Sequence, residues 1–166
     1  MKYKEFISYG LIIDRTKFEE IKDHPGVEYL EKPLGGLWCS PVNSEWGWKD
    51  WCLSESYRTE KLETWTKFIL SSSAKILEID SLFDLIRIGK KYGKVRDSWD
   101  HRCIISFEKI KNNGYNGIFL SERGNSQCHY PLGNIMPMEI DLNAWDCESM
   151  ILFDLDHIKI TEIKEV

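Results

Sequence analysis

The chain holds 166 residues, of which 42% are hydrophobic and 30% charged, and its net charge is −5. Those values suit one globular domain with a real core, spanning 1–166, and exclude a disordered or repeat chain. The acidic balance repels a phosphate backbone and so argues against a general nucleic-acid binder, and no apolar run approaches the roughly 20 residues of a membrane span.

In chain order, Tyr3 to Ile13 carries Phe6, Ile7, Leu11, Ile12 and Ile13 around Gly10, which predicts a strand kinked at the glycine. Phe18 and Ile21, three apart, predict a short helix over Thr16 to Lys22, stopped by His24-Pro25-Gly26. A short strand is expected over Val27 to Glu31. Ser44 to Tyr57 reads as a helix after a Ser or Asn cap, with Trp48, Trp51 and Cys52 facing inward. Strands are expected at Trp65 to Leu70 and Lys75 to Ile79. A helix from Leu82 to Tyr92 follows, capped by Asp80-Ser81 and stopped by Gly93.

Asp97 to Arg102 reads as a polar loop. Ser106 caps a helix closed by Asn113-Gly114, and Tyr115 to Leu120 reads as a strand. The Gly, Asn, Ser and Gln content of Ser121 to Asn134 predicts a mobile connection. Ser149 to Phe153 and Ile158 to Ile163 close the chain as two strands around the Asp154-Leu155-Asp156 turn. Short strands interrupted by helices define an α+β domain. The five cysteines lack C-x-x-C spacing and are expected as buried, reduced thiols. The first ten residues, MKYKEFISYG, lack a signal-peptide core, so cytoplasmic residence is expected.

Two stretches carry chemistry. Leu34 to Cys52, LGGLWCSPVNSEWGWKDWC, gathers four of the seven tryptophans behind two adjacent glycines. Glycines permit tight turns and close ligand approach, and indoles offer flat faces for stacking, so the window reads as a pocket. The alternative is core packing, with Trp48 and Trp51 on one helix face. In Ala144 to Asp154, AWDCESMILFD, Asp146 and Glu148 precede an apolar strand. Two carboxylates on one side of an extended segment repel, which raises one pKa and makes an acid/base or electrostatic pair; alternatively both are solvent-facing ends of a buried strand.

The order GGLWCS, W-x-x-W, Lys111 to Ile118 as K-x-x-GY-x-GI, and an acid-x-Glu pair before a final strand resembles the ADP-ribosyltransferase family. The resemblance implies two small twisted, mostly antiparallel sheets forming a cleft, flanked by short helices. It implies NAD+ as substrate, with its ADP-ribose passed to a macromolecular acceptor, protein rather than nucleic acid, or to water, and no membrane partner. A toxin-like role, with delivery into a host or target cell, is part of the same expectation. Position by position, Ser40 matches the family's strand serine and Glu148 its catalytic glutamate. Asp146 is the residue two before it that helps choose the acceptor. Gly36 belongs to the cofactor turn, and Trp38, Trp46 or Tyr130 would stack on the rings. The first strand reads ISYG, with Ser8 and Tyr9 where the family carries an Arg or His, so Arg15, Arg102 or Arg123 would supply the charge for the pyrophosphate. Two rivals remain open: a nucleotide- or protein-binding module of the same fold without turnover, and an interaction protein acting through its acidic surface and exposed tryptophans.

Overall fold

The computed structural model describes residues 4–24, 32–95, 103–129, 140, 142 and 144–166. The first apolar run forms β1 (Glu5–Tyr9), which ends where Gly10 turns the chain at φ +79°. The helix expected over Thr16 to Lys22 reduces to one 3-10 turn, Arg15–Lys17, capped by the Asp14 carboxylate. Beyond it the backbone is claimed by another segment. Lys22 exchanges main-chain hydrogen bonds with Leu34, and Glu19 accepts from the Gly36 N–H, so tertiary pairing overrides the helical spacing of Phe18 and Ile21.

The remaining elements are β2 (Leu37–Pro41), α1 (Trp48–Ser54), a second 3-10 turn (Thr59–Glu63), β3 (Trp65–Leu70), β4 (Ile76–Ile79) and α2 (Leu82–Tyr92). They continue with β5 (Gly93–Val95), β6 (Cys103–Ile105), α3 (Phe107–Asn112), β7 (Gly117–Leu120), α4 (Glu122–Cys128), β8 (Ser149–Leu152) and β9 (Ile158–Lys164). Ser81 and Ser106 cap α2 and α3 as the sequence predicts, each accepting from a backbone N–H in the first turn. Helix α1 starts later than expected, at a Gly47 cap whose N–H donates to Asp50.

Within the stretch expected to be a mobile connection, residues 122–128 form helix α4, capped by the Ser121 hydroxyl. Its glycine has a packing reason: a Cβ at Gly124 would stand 2.2 Å from the Ile79 carbonyl oxygen, so only glycine lets α4 lie on the end of β4. The short β5–β6 ribbon is likewise absent from the sequence reading, where Gly93 serves only as a helix stop. The strand expected at Val27 to Glu31, the loop at Asp97 to Arg102, and Tyr130 lie outside the described residues.

The fold is α+β, with largely antiparallel pairing. Seven strands form one sheet in the order β4-β7-β8-β2-β1-β3-β9, and β5-β6 form a second, two-stranded sheet. Among these pairs only β4 and β7 run parallel. One large, mostly antiparallel sheet and a small second sheet thus stand where two small sheets are expected.

Strands β7 and β8 are buried on both faces, which explains the unbroken apolar run Met150–Phe153. Their side chains alternate between two cores. Ile118, Leu120, Ile151 and Phe153 pack with Leu85, Ile88, Ile110 and Trp145 under the helices, while Phe119, Met150 and Leu152 join Phe6, Leu37 and Phe68 on the other face. All five cysteines are free and buried. Among the described residues no helix is long and apolar enough to cross a membrane.

Candidate functional site

The site begins with a strand that changes partner. The first three residues of β2, Leu37 to Cys39, pair with Leu152 to Met150 of β8, whereas Ser40 and Pro41 pair with Ile7 and Phe6 of β1. The sheet therefore parts between β1 and β2 on one side of Ser40, and between β2 and β8 on the other. Polar groups freed by the parting are satisfied by side chains. The Ser8 hydroxyl donates to the Trp38 carbonyl at 2.8 Å, and the Ser40 hydroxyl donates to the Glu148 carbonyl at 3.0 Å while accepting from the Trp48 N–H.

A cavity of about 430 Å³ occupies this opening, within the range of about 300–1,000 Å³ typical of small-molecule sites. Its walls are aromatic: Tyr9, Trp38, Trp48 and Trp145. Trp38 meets Trp145 edge to face at 4.7 Å, and Trp145 is in turn stacked on Phe107 at 6.3 Å, so the back of the cavity is continuous with the core. Trp48 stacks on Trp51 at 5.0 Å. Around these rings stand three cations, Lys32, Arg58 and Lys61, and one carboxylate, Asp146.

The charges are not all equivalent. Lys32 Nζ lies 3.2 Å from Asp146 and 5.8 Å from the Trp38 ring centre, so it orients that carboxylate at the mouth. Arg58 and Lys61 have no carboxylate partner among the described residues. The wall thiols are inert: burial pushes Cys39 well up, and burial followed by the Asp146 charge pushes Cys147 to about 12, so both remain protonated and neither is a nucleophile. Burial, then the negative charge of Asp50, raises Tyr9 and keeps it a neutral phenol that can stack and donate.

Of the residues that the sequence singles out, Tyr9, Trp38, Ser40 and Asp146 line the cavity; Ser8, Gly36, Trp46 and Glu148 do not. Gly36, at φ +73°, is shaped by packing, since a Cβ there would lie 2.9 Å from Ile151, Ile21 and the Leu152 carbonyl. Trp46 is 38% exposed, and its carbonyl receives the Glu148 N–H. Asp146 and Glu148 do not share a side, because residues 147 and 148 bend rather than extend. The Glu148 carboxylate turns inward, accepting the Ser44 hydroxyl at 2.6 Å and the Glu122 N–H at 3.4 Å. Arg15 is committed to the Leu155 carbonyl and Asp156, and Arg123 to Asp80, so neither stands in for a first-strand cation; Arg102 lies outside the described residues.

Sequence reasoning misses Arg58, Lys61, Lys32 and Trp145. A faint signal exists: Arg58 and Lys61 share one face of a single turn directly after the tryptophan-rich window. Among the described residues no three metal-ligating side chains converge. The fold and site together define an α+β domain with an aromatic cavity of positive lining. The chain matches no known family of proteins, no curated protein and no solved structure.

Proposed function

We propose that the protein is an ADP-ribosyltransferase-like enzyme that holds NAD+ in the Trp38 cavity and passes its ADP-ribose to a macromolecular acceptor, protein rather than nucleic acid, or to water. The observation that carries this reading is the convergence around one cavity of indole faces, one carboxylate and two cations, Arg58 and Lys61, that have no carboxylate partner among the described residues. Stacking on Trp38, Trp48 or Tyr9 suits the nicotinamide and adenine rings, and the cations suit the pyrophosphate.

Asp146 takes the electrostatic role in this scheme, because it is the carboxylate that faces the cavity. As the bond between nicotinamide N1 and ribose C1′ breaks, its electron pair leaves with the nicotinamide, which becomes neutral. The ribose becomes an oxocarbenium ion that the carboxylate stabilises, and the acceptor's nucleophile then attacks C1′ and gives its proton to solvent. Glu148 supports the site from behind, holding the 146–148 bend against Ser44 and α4.

A binding module without turnover is the second reading. The Lys32 ion pair favours it, since it offsets the charge that the transition state needs. Nicotinamide release and NAD+ calorimetry on the same preparation separate the two. Release that falls by about 10²-fold or more in Asp146→Asn, with affinity held within a few-fold, is the expected result. Tight binding with no release supports the module, and no binding overturns both.

A further inference from the structure

Helix α1 ends in a way that costs stability. The Tyr57 N–H donates to the Cys52 carbonyl at 2.9 Å across a left-handed Ser56 at φ +52°, a position that glycine occupies at little cost. Arg58, two residues on, is left-handed as well, at φ +46° and ψ +37°, and caps the 3-10 turn Thr59–Glu63. These are the only two non-glycine residues with positive φ among those described, and they fall in one turn at the cavity's edge. Strain of this kind persists where the surroundings impose it, and it concentrates at ligand clamps.

What the strained turn presents is charge. From it Arg58 and Lys61 both reach the cavity wall. The Arg58 guanidinium lies over the Tyr57 ring at 5.4 Å; that ring meets Trp51 edge-on at 5.4 Å and Trp48 at 6.1 Å. A row of packed rings therefore backs the guanidinium, a group whose planar fork suits two-pronged donation to oxyanions. Lys61 is seated by its stem, since a Cβ at Gly10 would come within 3.3 Å of the Lys61 Cβ.

We infer that Arg58 and Lys61 form a diphosphate clamp, gripping the anionic bridge of a dinucleotide and selecting it over a nucleoside. This rests on the nucleotide reading of the same cavity and deepens it. Two positive charges without a carboxylate partner among the described residues, in a chain of net charge −5, match the two negative charges of a diphosphate diester. A neutral nucleoside leaves both of them unused.

The test titrates the full chain with ADP-ribose, NAD+ and adenosine by calorimetry, and measures the melting temperature of each variant. Arg58→Gly is expected to melt about 2–4 °C higher, because the left-handed strain is relieved, and to bind ADP-ribose roughly 10–100-fold more weakly. Adenosine affinity stays unchanged, and the salt dependence of ADP-ribose binding becomes shallower. Lys61→Gln weakens ADP-ribose similarly without the gain in melting temperature. Ser56→Gly, the control, melts higher and binds as the parent does.

Wild-type binding of NAD+ with undiminished ADP-ribose affinity in both Arg58→Gly and Lys61→Gln overturns the clamp and leaves the nucleotide reading standing. A lower melting temperature for Arg58→Gly assigns Arg58 to the fold and also overturns the clamp. Failure of the parent chain to bind either dinucleotide removes both.

Discussion

Ser8 donates its hydroxyl to the main-chain carbonyl of Trp38 at 2.8 Å, across the gap where β1 and β2 stop pairing. The serine is 1% exposed, so its removal leaves a carbonyl without partner inside the sheet. Ser8→Ala is expected to lose about 1–3 kcal/mol in urea denaturation while the folded fraction keeps its NAD+ affinity. Weakened binding at unchanged stability would return Ser8 to the cofactor.

Gly36 makes a second stability prediction. A side chain there must adopt φ +73° and sit 2.9 Å from Ile151, Ile21 and the Leu152 carbonyl at once. Gly36→Ala should therefore cost at least about 2 kcal/mol, from left-handed strain plus displaced neighbours. Guanidinium melts measure it, and a neutral substitution would show that the turn yields easily.

The two carboxylates are expected to separate by phenotype. Glu148→Gln keeps an oxygen for Ser44 but loses the charge that favours both donors, so it should melt lower by about 1 kcal/mol and still release nicotinamide. Asp146→Asn should melt close to the parent and lose release. The opposite pattern would transfer the electrostatic role to Glu148.

Acid stability depends in part on Asp23, which ties α3 and β5 to the 19–23 segment. Burial alone would raise its pKa; hydrogen bonds from Lys94, Ser106 and the Glu108 N–H outweigh that and hold it below the ordinary 3.8. A folded pKa below the unfolded one means that this stabilisation is complete above 3.8 and fades as pH falls through the lower, folded value. Asp23→Asn should be less stable at pH 7 and show a shallower decline below pH 3.8, which chemical melts across pH 2–6 would reveal.

Much of this was legible in the residues where local rules dominate. Ser81 and Ser106 sit at the starts of amphipathic runs, and side-chain capping is a local bond, so α2 and α3 stand where their caps put them. The buried strand Ser149–Leu152 follows from an apolar run with no polar interruption. Local rules fail where a distant segment decides. Glu19 to Lys22 give up a helical spacing to pair with Leu34 to Gly36, and α4 forms from Gly-Asn-Ser because Gly124 can rest on Ile79.

The site divides in the same way. Tyr9, Trp38, Ser40 and Asp146 were visible as chemistry-bearing types, and the cavity gathers them. Arg58 was invisible, for its importance lies in a backbone conformation that its identity does not advertise. The inward turn of Glu148 was equally hidden, since alternation along a strand says nothing once the chain bends.

The handover within β2 leaves two ladder positions joining β1 to β2 at the lip of the cavity, with the Val42 N–H donating to the Glu5 carbonyl and the Ser8 hydroxyl to the Trp38 carbonyl on either side. Prising that seam apart would break its main-chain bonds and would also part Phe6 and Phe68 from Leu37 and Met150, with which they share one core. The width of the gap is therefore held by the packing beneath it, and a guest is selected by fit to the opening as it stands.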